Sequence, residues 1–417
     1  MESGYTSGCD LVSPAEPNII DSGFYKMIVR LRKMTLAAVH IALGLVLGIL
    51  LLEPVLRSNT TLLPRGIAAP LPVDPPLTDR EYEVRYADAD IFFWEASLIR
   101  PPEENLLEAR VHWRTDEFGF PNPAPVPAEV DLVILGRSYS MGAQAEEPWP
   151  DVLRGRYGIR VLNLSQTGSG LREKRDFFLR FGLPRNPRYV IIEILPPFDI
   201  LNYGVAEPWV VRRAVIPFAQ NILRRLFLPE VKPDSSDFVY PLRLELAGGS
   251  RDCVFYSGYL SALGISMEDW SRSSEWANFR ADLAGLVSLF QAEGIIPIVL
   301  FIPTKETVYI PLTNNFSPLE SASAVAGSWI PAGGGLVQRA AGPGVDAIRA
   351  NAAAGQGLIR EFASLQSLCL VDPTASFAQA LRNGSDPFMR YDTHWSTIGH
   401  AIVAREVAAA VESGACR

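Results

Sequence analysis

Ser138 stands in Leu135-Gly136-Arg137-Ser138-Tyr139-Ser140, after a short apolar run and before a helix-like segment. A small residue two places before a serine lets the chain turn sharply. The turn pushes the hydroxyl outward, beside backbone N–H groups that can take negative charge from a carbonyl oxygen. Those are the parts of an acyl-transfer site. Gly-x-Ser is also a common tripeptide, so taken alone the same residues read more readily as a strand-to-helix loop with a helix cap. Ser140 takes the place of the second glycine in the related Gly-x-Ser-x-Gly turn, and is a weaker candidate nucleophile.

A serine hydroxyl needs a base, and the base needs a carboxylate to hold it and offset its positive charge. Tyr391-Asp392-Thr393-His394-Trp395 offers both within one local loop. Beyond residue 57 the chain has only three histidines: His112, His394 and His400. His400 competes as base or serves as a packing residue on the first turn of the last helix. With so few histidines and no paired thiols, the usual zinc ligand sets are missing, and neither metal nor cofactor is expected.

Alternating strands and helices must position these groups. Five apolar runs read as buried parallel strands: 130–135, 159–164, 189–195, 295–302 and 368–371. Helical patterns fill 275–293, 345–365 and 399–411. The alternation predicts an α/β fold, a three-layer doubly wound parallel sheet, whose site lies beyond the carboxyl ends of the strands. Residues 313–344 are rich in Gly, Ala and Ser and read as an inserted loop, either a lid or a disordered stretch.

Residues 34–52, MTLAAVHIALGLVLGILLL, carry no formal charge and are long enough to cross a bilayer as a helix. Lys26, Arg30, Arg32 and Lys33 precede them, so the positive-inside bias keeps the N-terminus cytoplasmic. The expected organisation is a cytoplasmic tail (1–33), a single transmembrane anchor (34–56), a Pro-rich spacer (57–81) and one extracytoplasmic, periplasmic domain (82–417). A cleaved signal peptide is the rival. Glu53-Pro54 stands where a small-x-small cleavage site would be wanted. Of four cysteines, Cys9 falls on the cytoplasmic side. Cys253, Cys369 and Cys416 allow one disulfide in any pairing, or three buried thiols. The net charge of -8 and the lack of a basic stripe outside the N-terminal region argue against a nucleic-acid partner.

Taken together and in this order, the motifs resemble the SGNH (GDSL-like) hydrolase superfamily over roughly residues 110–410. Gly136-Arg137-Ser138 stands where that family has Gly-Asp-Ser. Val161-Leu-Asn-Leu-Ser-Gln-Thr-Gly168 is similar to its second block, and Asp392 with His394 to its fifth. Within the superfamily the chain most resembles the alginate O-acetyltransferase-like branch. That likeness rests on Ser-Tyr-Ser around the nucleophile, Asp-Thr-His-Trp, Ile302-Pro-Thr-Lys-Glu-Thr-Val-Tyr309, and Ile192-Glu193-Ile194 followed by Pro196. Arg114 to Phe120 resembles a segment found before the nucleophile strand of anchored members.

The chain also departs from the pattern. Arg137 replaces the usual Asp or Thr. The third block's Gly-x-Asn-Asp is absent, with Pro197-Phe198-Asp199 near its place. The Asp-x-His-Trp element follows the serine, as in ordinary SGNH hydrolases, rather than preceding it.

The resemblance implies a Ser138–His394–Asp392 triad, with an oxyanion hole from the N–H groups of Ser138 and Gly168. It implies an O-acetyltransferase or O-acetylesterase acting on a cell-envelope or exported polysaccharide. A transferase would need a multi-span membrane partner to deliver acetyl. Trp395 and Trp149 would stack on a sugar ring or pack the core; Lys305 would line the cleft or sit as a solvated turn lysine. A non-catalytic SGNH-fold binding or assembly protein is the alternative reading, and a lipid esterase, with an apolar cleft, a third.

Overall fold

The computed structural model describes residues 31–36, 39–40, 43–44, 47–48, 81–86, 109–142, 145–166, 169–201, 238–246, 249–314, 328–332, 335–339, 343–389, 393–414 and 416. The chain divides into two units, Met1–Leu56 and Arg57–Arg417. In the first unit the described residues are helical. No helix among the described residues is long and apolar enough to cross a membrane. The span expected at 34–52 lies in part outside those residues, and the spacer at 57–81 almost entirely so.

The strands of the second unit are β1 (Glu81–Tyr86), β2 (Ala109–Arg114), β3 (Leu132–Leu135), β4 (Val161–Asn163), β5 (Tyr189–Ile194), β6 (Phe238–Leu246), β7 (Gly249–Tyr256), β8 (Ile296–Phe301), β9 (Ser328–Ala332), β10 (Gly335–Arg339) and β11 (Cys369–Val371). The helices are α1 (Ser138–Met141), α2 (Trp149–Tyr157), α3 (Leu171–Phe177), α4 (Pro196–Asp199), α5 (Ser257–Leu263), α6 (Met267–Arg272), α7 (Ser274–Ala292), α8 (Lys305–Tyr309), α9 (Val345–Asn351), α10 (Ala354–Leu365), α11 (Thr374–Arg382) and α12 (Thr397–Glu412).

Five strands form one sheet in the order β11-β8-β5-β3-β4, and every pairing in it is parallel. These are the five runs expected from the sequence. Alternate residues of each strand feed opposite faces. Leu132, Ile134, Tyr189, Ile191, Ile298 and Leu300 enter one buried cluster with Trp149, Phe377, Val403 and Val407. Val133, Leu135, Val190, Ile192, Val299 and Phe301 enter the other, with Phe279, Leu283, Phe290, Leu358 and Phe362. Helices therefore cover both faces, as continuous apolar strands require, and the three-layer architecture follows. The order of the sheet reverses between β3 and β5. In open α/β sheets such a point, at the carboxyl ends of the strands, is where sites form.

Two expectations change in detail. The helix expected over 345–365 is two, α9 and α10, broken at Ala352–Ala353. Gly355 there comes close to α4: a Cβ on it would lie 3.1 Å from Pro196 Cβ. Within 313–344, β9 and β10 pair as an antiparallel hairpin. A disulfide joins Cys369 to Cys416, tying β11 to the residues after α12, and Cys253 is a buried thiol.

Candidate active site

β3 ends at Leu135 and the chain turns through Gly136. A Cβ there would lie 2.5 Å from Ser140 Cβ and 2.7 Å from Glu193 Oε2, with Ser165 Oγ closer still. Only glycine fits. Arg137 caps α1, and its backbone N–H donates to Glu193 Oε1 at 3.0 Å. Ser138 is the first residue of α1, which stops after one turn at Gly142, in the left-handed conformation at φ +66°.

His394 comes from a loop closed on itself. Met389 N–H donates to the His394 carbonyl at 3.0 Å, and Ser396 N–H to Pro387 O at 3.0 Å. Two side chains from elsewhere hold this loop: Tyr139 Oη donates to Thr393 O at 2.9 Å, and Lys305 Nζ to Met389 O at 2.5 Å. The result brings His394 Nε2 to 2.9 Å from Ser138 Oγ, within the range needed for proton transfer. His394 is 8% exposed, and its ring lies 4.7 Å, centre to centre, from that of Tyr139. Asp392 and Gly168 lie outside the described residues.

Other expected residues fall elsewhere. Trp395 and Trp149 are fully buried. Trp395 Nε1 donates to Pro303 O at 3.4 Å and Trp149 Nε1 to Ser140 Oγ at 3.1 Å. Neither presents a ring face to a sugar, so packing is their part. Lys305 is fully buried too; it neither lines a cleft nor reaches solvent, because its ammonium is directed onto the histidine loop. Ser140 is buried and donates to Glu193 Oε2, so its hydroxyl does not compete with that of Ser138. His400 is 2% exposed, and its Nδ1 accepts from Trp149 N at 3.3 Å. Burial, with His394 nearby, pushes its pKa down to about 3. It is a neutral packing residue rather than the base.

Beneath the serine lies a polar layer that sequence reasoning did not assign. Glu193 is fully buried; burial pushes its carboxyl above the usual range. Burial likewise lowers Lys174, whose Nζ donates to Glu193 O at 2.6 Å and stands 3.8 Å from Asp199 Oδ1. Asp199 accepts from Leu195 N at 2.6 Å and from Arg137 Nε at 2.9 Å. The unusual arginine beside the serine is thus held by the aspartate of Pro197-Phe198-Asp199. The other flank is fixed by Asn163, whose Nδ2 donates to Ser140 O at 2.7 Å. Asn122 Oδ1 accepts from Asn163 N at 2.7 Å, and Asn122 Nδ2 donates to Asp116 Oδ2 at 2.7 Å. The segment from Arg114 to Phe120 therefore braces the serine turn from a distance. A charged residue within the apolar run Tyr189–Ile194 was the available signal for Glu193. Among the described residues, no group of three His, Cys, Asp or Glu could hold a metal ion.

Residues 350–416 match the family model described as "SGNH hydrolase-like domain, acetyltransferase AlgX". No curated protein matches the chain. Among solved structures, an acetylxylan esterase from Geobacillus stearothermophilus (a catalytic mutant of Axe2) aligns at 15% identity over 69% of this chain and 96% of its own, with a TM-score of 0.33. The acetyl xylan esterase AlAXEase aligns at 11% identity over 67% and 98%, with a TM-score of 0.34. The α/β hydrolase LAE5, from the metagenome of Lake Arreo, aligns at 16% over 68% and 96%, with a TM-score of 0.33. Alignments this loose carry neither a residue correspondence nor a substrate to this chain. The family match spans α10, β11, α11, the histidine loop and α12, and supports an SGNH-type acyltransferase or esterase. Over residues 350–416 the chain is similar to the SGNH hydrolase-like domain of acetyltransferase AlgX, and the resemblance drawn from its motifs holds there.

Proposed function

We propose that this chain is a serine acyl-transfer enzyme that moves or removes O-acetyl groups on a cell-envelope or exported polysaccharide. The observation that carries the reading is the 2.9 Å approach of His394 Nε2 to Ser138 Oγ, at the reversal point of a parallel sheet. His394 takes the Ser138 proton as Oγ bonds to the ester carbonyl carbon. The carbonyl π pair moves onto oxygen, giving a tetrahedral oxyanion beside the Ser138 N–H. Collapse of that intermediate breaks the ester C–O bond, and His394 returns the proton to the leaving alkoxide. Acetyl-Ser138 then passes its acyl group to water or to a sugar hydroxyl. Asp392 orients the imidazole, and Gly168 supplies a second backbone donor.

The apolar stretch 34–52 and the basic residues before it support an anchored, periplasmic domain. A transferase of this kind draws acetyl from a multi-span membrane partner, since one span cannot carry acetyl across a bilayer. The test is intact-mass analysis of the purified full-length chain after incubation with 4-nitrophenyl acetate. One acetyl group mapping to Ser138, and missing from Ser138→Ala, is the expected outcome. No adduct and no ester turnover would favour a binding or assembly role instead.

A further inference from the structure

β3 and β5 pair with Leu135 beside Ile192, so the next residues along each, Gly136 and Glu193, come side by side at the carboxyl end of the sheet. A Cβ on Gly136 would stand 2.7 Å from Glu193 Oε2. Alternation along β5 sends Glu193 to the face of Tyr189 and Ile191, which Trp149 also packs. There its carboxyl holds the serine turn on both sides of Ser138. Oε1 accepts from the backbone N–H of Arg137 at 3.0 Å, and Oε2 from the hydroxyl of Ser140. The Ser140 hydroxyl in turn accepts from Trp149 Nε1 at 3.1 Å, which leaves its proton for Glu193. The end of β5 is itself pinned, by Lys174 Nζ on Glu193 O at 2.6 Å.

These bonds fall on the residues before and after the nucleophile. Ser138 itself is half-buried, while Tyr139 and Ser140 are buried, and its Oγ stands 2.9 Å from His394 Nε2. α1 cannot hold this geometry alone. It is a single turn, closed by Met141 N–H on Arg137 O at 2.8 Å and Gly142 N–H on Ser138 O at 3.0 Å. One turn of helix is unfavourable without outside support. A carboxylate as fully buried as that of Glu193 is costly to the fold. An apolar residue at this position would remove that cost, but would take the acceptor from the Arg137 N–H and the Ser140 hydroxyl.

We propose that Glu193 is a positioning residue for the acyl transfer: by gripping the Arg137 N–H and the Ser140 hydroxyl together, it sets the place of Ser138 Oγ relative to His394 Nε2. The inference rests on the acyl-transfer reading above and deepens it. Glu193 exchanges no proton in the reaction and acts on the chemical step through the backbone on either side of Ser138. Ser140 is its partner in that grip. A glycine at 140, as in the related Gly-x-Ser-x-Gly turn, could not make the bond.

The test follows Ser138 acetylation by 4-nitrophenyl acetate on the purified full-length chain, by quenched intact-mass analysis. It compares wild type, Glu193→Gln, Ser140→Ala and the double variant, with rates taken across pH and expressed per folded molecule. Gln keeps the size of the side chain and an acceptor for the Arg137 N–H, but turns an amide N–H toward Ser140. Ala removes the Ser140 bond alone, and decides the matter should Glu193→Gln not fold. The expected result is a loss of about 10- to 100-fold in maximal acetylation rate for each single variant. The half-saturating ester concentration stays within about threefold, and the pH midpoint of the rate does not move. The double variant loses no more than the worse single one, since both break the same grip. Maximal rates within about threefold of wild type would overturn the proposal and leave Glu193 a residue of the fold alone. So would losses that multiply in the double variant, which would make Glu193 and Ser140 independent. A pH midpoint displaced by about one unit or more would overturn it too, by making Glu193 act on the charge of His394. A wild-type chain that forms no adduct would sink both this proposal and the functional reading; a wild-type adduct with unchanged rates in the variants would sink this one alone.

Discussion

Lys305 Nζ donates to the carbonyl of Met389 at 2.5 Å, and this buried bond ties the turn after β8 to the loop that carries His394. Both ends of that loop are gripped, since Tyr139 holds Thr393 and Trp395 reaches back to Pro303. The placement of the base therefore depends on a side chain that never meets solvent. Lys305→Met keeps the length of the side chain and removes the ammonium, leaving the Met389 carbonyl short of a donor. The expected cost is about 1–3 kcal/mol of stability. Acetylation of Ser138 should slow by roughly tenfold or more, because a misplaced base loses rate steeply with distance. Stopped-flow acetylation rates and a urea melt check both; a variant with unchanged rate would show that the loop holds itself.

Gly136→Ala tests the turn itself. The added methyl would meet Ser140 Cβ at 2.5 Å and Glu193 Oε2 at 2.7 Å, both from buried residues on different elements. Neither neighbour has room to retreat, so the turn must shift. We expect about 1–3 kcal/mol of destabilisation and an acetylation rate at least about 100-fold lower, as the serine leaves the reach of His394. Thermal melts and the intact-mass rate assay read the two effects separately.

Glu306 predicts a pH dependence of stability. It is fully buried, its Oε1 accepts from Tyr256 N at 2.8 Å, and among the described residues its Oε2 has no hydrogen-bond partner. Burial raises its pKa from 4.5 to about 7. The folded state then binds this proton more tightly than the unfolded chain. The stability it contributes is fully present below pH 4.5 and is lost as pH rises through about 7. Glu306→Gln, a neutral isostere, should be more stable than wild type at pH 8 by roughly 3 kcal/mol and little different near pH 4.5. Urea unfolding at the two pH values decides it; equal stabilities at pH 8 would mean the carboxylate is better solvated than its burial implies.

Much of the frame was legible in the chain because buried parallel strands carry their own signature. Apart from Glu193, Tyr189–Ile194 and Ile296–Phe301 are apolar and rich in Val and Ile, since both faces of the sheet are covered. The serine turn was legible for a similar reason: its glycine and serine are local requirements. The supports were not. Asn122 and Asn163 lie 41 positions apart in sequence, and nothing in either neighbourhood announces the other. The tryptophans misled, because a large ring beside a catalytic motif serves packing as readily as stacking, and only burial separates the two. Lys305 misled because a lysine in a turn is usually solvated.

By itself, the sequence determined the order of the strands along the chain, the glycine-serine turn and the local Thr393-His394-Trp395 loop, because each depends on residues within a few positions of one another. Tertiary structure alone decided that Ser138 meets His394 across 256 positions, that Ser140 and His400 are buried away from the reaction, and that Arg137 finds Asp199. Those outcomes depend on which strand ends lie side by side at the reversal of the sheet, and that adjacency is set by the packing of the whole domain rather than by any local pattern.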